Sequence, residues 1–140
     1  MLPFLPQVAH AAHRAARRRL HLHRRPEDCS LRDALGDDAT ALELMRHGAK
    51  GNVSVTANIA AAQVAAVCRL ALAGDFPGAA AVNSQLSALN DALFLESNPV
   101  PVKWAMAELG MVQEGIRLPL VTLSSDHHAA LRAAMQQAGL

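Results

Sequence analysis

Apolar residues recur at helical spacing along most of the chain, most clearly at Val82, Leu86, Leu89 and Leu93, which lie four, three and four residues apart. An α-helix puts such positions on one face, so this stripe requires a covering surface. Asp75 and Pro77 mark the start of that helix. Before it, an alanine-rich stretch over residues 59–73, stopped by Gly74, predicts a helix whose small side chains suit close packing. Further upstream, Asp37 or Asp38 is placed to cap a helix running through Met45 and His47, with Gly48 ending it.

Between those two helices the period changes. After a Lys50-Gly51 turn, residues 52–55 read as one short buried strand, followed by a polar turn containing Thr56 and Asn58. Downstream, Asn98-Pro99 predicts a cap, with Val100, Trp104 and Ala107 as the buried side of a short helix ending at Gly110. An extended crossing over residues 116–123, with Pro119 inside it, leads through Ser124-Ser125-Asp126 into a last helix reaching Ala138. Residues 1–35 break the pattern. Their apolar positions form no sustained stripe, and Arg17, Arg18 and Arg19 point in three directions of any helix. That segment is expected to be solvated or disordered unless a polyanion neutralises it.

A length of 140 residues fits one domain with a sizeable core. Charge divides the chain further: residues 1–35 carry seven arginines against three acids, leaving six Lys/Arg against nine acids in residues 36–140. The two cysteines, Cys29 and Cys68, form no pair motif and are expected to be reduced thiols in a cytoplasm. No apolar run approaches the roughly 18 residues that span a bilayer, so no membrane partner is expected. The acid-free, Arg-rich stretch to Arg25 has the composition of an organellar transit peptide, but its first serine is Ser30.

Four motifs occur in order: "GDDATALELM", "GNVSVTAN", "FLESNPVPVKWAMAELG" and "GIRLPLVTLS". Together they resemble the C-terminal part of the dihydrodipicolinate synthase family, among the class I aldolases related to N-acetylneuraminate lyase. The resemblance covers residues 36–140, and it implies an α/β fold that is the C-terminal fragment of a TIM (β/α)8 barrel. About two strands, the end of the seventh and the eighth at 52–55, would be joined by the family's C-terminal helices, so the fragment is predominantly helical. The family reaction so implied condenses pyruvate with aspartate semialdehyde through a lysine Schiff base, a step of lysine and diaminopimelate biosynthesis.

The resemblance also implies what the chain lacks. The family's Schiff-base lysine lies on the sixth strand and its proton relay is a tyrosine, whereas this chain has only Lys50 and Lys103 and no tyrosine. Neither lysine sits in the family's strand motif, so no catalytic residue carries over. Two substrate-binding positions do: Val53, through the main chain of the eighth strand, and Gly36, where a glycine permits close backbone approach. Leu35 stands where the family usually has a small residue. No cofactor and no metal are implied. Pyruvate is the ligand by resemblance alone, and two strands without neighbours should self-associate or aggregate.

Other clusters have structural explanations. Asp37 and Asp38 diverge on a helix and read as caps rather than paired acids. His10, His13, His21 and His23 lack a third ligand on an ordered element. His127 and His128 open a helix and are expected to face solvent, while Ser124, Ser125, Asp126 and His127 are too close in sequence to converge as a triad. The alternative function is a non-catalytic module whose arginine arm binds nucleic acid or an acidic partner. Nucleic acid is disfavoured, because no aromatic residue interleaves with the arginines to stack on bases. A further expectation is that residues 1–35 are an off-frame extension of GC-rich DNA, given their Arg, Ala, His, Leu and Pro content.

Overall fold

The computed structural model describes residues 37–140. Among these residues are five α-helices: α1 (Ala41–Arg46), α2 (Ala61–Leu72), α3 (Phe76–Ala92), α4 (Val100–Glu108) and α5 (Ser125–Gln137), with a 3₁₀ turn at Thr56–Asn58 between α1 and α2. Gly36 and the segment read as a basic arm lie outside the described residues.

The central element is α3. Asp75 caps it by accepting a hydrogen bond from Gly78 N–H at 2.9 Å, with Pro77 in the first turn. A cap of this kind stabilises by about 1 kcal/mol. The expected stripe is its buried face, with Leu86, Leu89 and Leu93 sealed from solvent and Val82 partly covered. Helix α2 packs along α3, joined to it by a turn in which Gly74 takes φ +83°. A side chain there would be strained, which is why glycine ends the alanine-rich helix. From α2, Val67 and Ala71 enter the core, while α5 adds Leu131, Ala134 and Met135 from the other side of α3. Helix α1 contributes Met45 and rests on α2 and α3.

Three expectations require correction. The strand at 52–55 is not formed: no strand occurs among the described residues. A strand exists through its ladder, and no main-chain group of residues 50–54 bonds to another main-chain group among the described residues. In α4 the buried residues are Val100, Pro101, Val102 and Ala105, while Trp104 and Ala107 are only partly covered. This helix is apolar on nearly every side, so spacing could not select its inner face. Residues 116–123 form an irregular crossing in which Leu118 and Val121 are exposed and Leu123 is buried.

Candidate functional site

Among the described residues the buried polar side chains are Asp38, Thr56 and Asn90, and they form one chain of hydrogen bonds. Asp38 Oδ2 accepts from Thr56 N–H at 3.0 Å, and its Oδ1 accepts from Asn52 Nδ2 at 2.7 Å. Thr56 Oγ1 in turn donates to Asn90 Oδ1 on α3 at 2.7 Å. One carboxylate therefore grips both ends of the segment from Asn52 to Thr56, and Asn90 fastens that segment to the central helix. Between the grips, Val53 stands 64% exposed.

Asn52 donates its amide to Asp38, which leaves its own Oδ1 buried without a partner. Beside it is a void of about 10 Å³ among Asp38, Asn52, Cys68 and Asn90, room for about one water molecule. Burial pushes the Cys68 thiol up, the Asn52 main chain opposes that shift, and the Asp38 charge adds to it. Such a thiol stays protonated and is a poor nucleophile.

The two neighbouring aspartates thus divide their work. Asp37 does not cap α1 as expected, because the N-cap is Thr40 with no side-chain cap bond; Asp37 instead closes the turn before the helix by accepting from Ala39 N–H at 3.3 Å and from Thr40 Oγ1 at 3.2 Å. Asp38 does not cap either; it turns inward to partners 14 and 18 residues away. Neither is paired with the other as an acid/base couple.

The remaining expected groups lie elsewhere. Lys50 is exposed, and Lys103 is half-buried on α4, lining a pocket of about 170 Å³ with Trp104, Ile116, Leu123 and His128. A Schiff-base amine must be desolvated to attack as a free base, and neither lysine is enclosed in that way. A broader groove of about 1180 Å³ runs between the end of α3, the 116–123 crossing and α5, lined by Phe94, Leu95, Leu120 and Val121. It shares no lining residue with the Asp38 network. Among the described residues no group of three His, Cys, Asp or Glu is placed to hold a metal ion. None of their helices is long and apolar enough to cross a membrane. The histidines of residues 10–23 lie outside the described residues.

At the α4/α5 contact, two charges and two rings meet. His128 stacks on Trp104 with centroids 4.4 Å apart and directs Nε2 to the Leu123 carbonyl at 3.1 Å, so it is not the solvent-facing residue expected. Arg132 sits 5.1 Å from the Trp104 ring centroid and donates from Nε to Glu108 at 2.6 Å. The signal in the sequence was the i,i+4 spacing of Trp104 with Glu108 and of His128 with Arg132, which puts each pair on one helical face. Glu96, also missed, accepts from Ser124 N–H at 3.0 Å and so takes up a free amide at the start of α5.

The Arg132 hydrogen bond holds the Glu108 carboxyl below the usual carboxylate range. A depressed folded-state value stabilises the fold above the ordinary carboxylate pKa, and that stabilisation is lost as pH falls through the lowered value. Side-chain NMR titration is expected to show Glu108 protonating at lower pH than an unpaired glutamate, and Arg132→Met is expected to raise it. An unmoved titration in the variant would mean that the pair is not formed in solution.

Residues 27–138 match the Dihydrodipicolinate synthetase family. The chain belongs to that family. Its 4-hydroxy-tetrahydrodipicolinate synthase relatives include those of Cellvibrio japonicus, 54% identical over 105 residues, and Pseudomonas aeruginosa, 55% identical over 105 residues. Both matches cover 75% of this chain and 36% of the relative, so the chain spans little more than a third of the length of these synthases. Among solved structures, the chloride-inhibited dihydrodipicolinate synthase of Acinetobacter baumannii complexed with pyruvate superposes with a TM-score of 0.72 at 50% identity, over 74% of this chain and 36% of that one. The enzyme from Aquifex aeolicus also gives 0.72, at 40% identity over 75% of this chain and 36% of that one. The helices around α3 are therefore arranged as in the corresponding part of complete synthases. The family match begins at residue 27, upstream of the motifs that first suggested it.

Proposed function

We propose that this chain is a truncated, C-terminal part of a 4-hydroxy-tetrahydrodipicolinate synthase-type barrel and that it is inactive on its own. The observation that carries this is the coverage: relatives more than half identical over the matched region are matched along only 36% of their length. Residue chemistry supports it. Carbon–carbon bond formation through a Schiff base needs an enclosed amine and a proton relay, and this chain offers an exposed Lys50, a half-buried Lys103 and no tyrosine.

Within a complete barrel the 52–55 segment is the eighth strand, and Val53 and Gly36 contribute main-chain contacts to the keto acid. The Asp38 clamp is consistent with that role, because it fixes Val53 between two anchored ends. Borohydride reduction in the presence of pyruvate, read by intact-mass spectrometry, is expected to leave the isolated chain unmodified. A reduced pyruvate adduct on Lys50 or Lys103 would overturn this reading.

A further inference from the structure

We infer that the pocket between α4, the residues following it and the start of α5 binds a small monocarboxylate whose apolar body is about the size of one ring. This site is separate from the barrel chemistry considered above and does not depend on it. The pocket has a volume of about 170 Å³. An apolar cavity of about 150 Å³ accepts benzene, so the space suits a single ring. Its apolar walls include Trp104, Ile116 and Leu123, of which Leu123 is buried. The Trp104 wall is held in place before any ligand arrives: His128, which also lines the pocket, stacks on the indole at 4.4 Å, and Arg132 lies 5.1 Å from its centroid. His128 is itself fixed through Nε2 to the Leu123 carbonyl at 3.1 Å. Walls set beforehand lower the entropy lost on binding.

The charge of the occupant follows from Lys103. It lines the pocket, is half-buried, and has no carboxylate within ion-pair distance among the described residues. A carboxylate that enters with an apolar body covering the walls gives this ammonium a partner, and the charge-assisted contact is stronger there than in open water. Glu114, which is exposed, also lines the pocket. Its negative charge disfavours a dianion such as phosphate, which leaves a single carboxylate as the match for one lysine.

The test titrates the purified 140-residue chain with benzoate, read by the emission of its single tryptophan and by amide shifts in NMR spectra. Saturable binding with a Kd of about 5 mM or tighter is expected, with shifts centred on α4, residues 114–116 and residues 122–128. Benzyl alcohol carries the same ring without the charge and reads the role of that charge on the unaltered chain; it is expected to bind about tenfold more weakly or not at all. Lys103→Met keeps the apolar stem and loses the ammonium, so benzoate is expected to bind about tenfold more weakly while the circular dichroism stays unchanged. Glu114→Gln removes a repulsion and is expected to tighten benzoate severalfold. Absence of saturation, shifts centred elsewhere, equal binding of benzyl alcohol, undiminished affinity in Lys103→Met, or weaker binding by Glu114→Gln would each overturn the inference.

Discussion

Leu89→Ala lowers the unfolding free energy by about 2–5 kcal/mol, the range for emptying a leucine site in a packed core. Leu89 is fully buried, one turn from Leu86 and Leu93, on the helix that contacts α1, α2 and α5 together. A cavity there is surrounded by helices on three sides, each held by its own contacts, so collapse around it is restricted. Domains of this size have about 5–15 kcal/mol of stability, so the variant loses a large share of it. Urea denaturation followed by circular dichroism reads the change. A loss below about 1 kcal/mol would mean that α3 is not the central support of the fold.

Asp38→Ala has the second large effect, and it reaches the segment from Asn52 to Thr56. The substitution strips an acceptor from Thr56 N–H, which is buried, and from Asn52 Nδ2. A buried donor left unsatisfied costs about 1–3 kcal/mol, so a total near 2–4 kcal/mol is expected, less if water reaches Asn52. Asp38→Asn retains one carbonyl oxygen and is expected to lose less than the alanine variant. The order of the two variants, measured by the same denaturation, separates a hydrogen-bonding role from simple filling of space. Equal stabilities for parent, Asn and Ala would remove the clamp as an energetic feature. Both variants should also show faster amide exchange at residues 52–56 while α3 and α5 keep their protection.

What could be anticipated from sequence followed sequence distance. The Asp75 cap, the Gly74 stop and the Leu86, Leu89 and Leu93 face involve partners within about one or two helical turns, and local rules reach that far. Asp37 and Asp38 looked equivalent because both stand just before a helix. What separates them is that Asp38 finds Asn52 and Thr56, and no local pattern encodes that meeting. Glu96 similarly serves a helix start 28 residues downstream. Residues 52–55 read as a short buried strand from their pattern, yet none of them is buried and Val53 is exposed. A ladder, however, belongs to two segments at once, and its neighbour is absent from the described residues. The family itself was legible, because four motifs in register are specific in a way that periodicity is not. His128 was misplaced because its environment is made by Trp104, on another helix.

That indole is the chain's single tryptophan, and it is flanked by an imidazole and a guanidinium contributed by a different helix. Emission from the protein excited at the red edge of its absorption therefore comes from one address. Its intensity and colour form a built-in gauge of whether α4 and α5 remain in register, with no dye or label to attach.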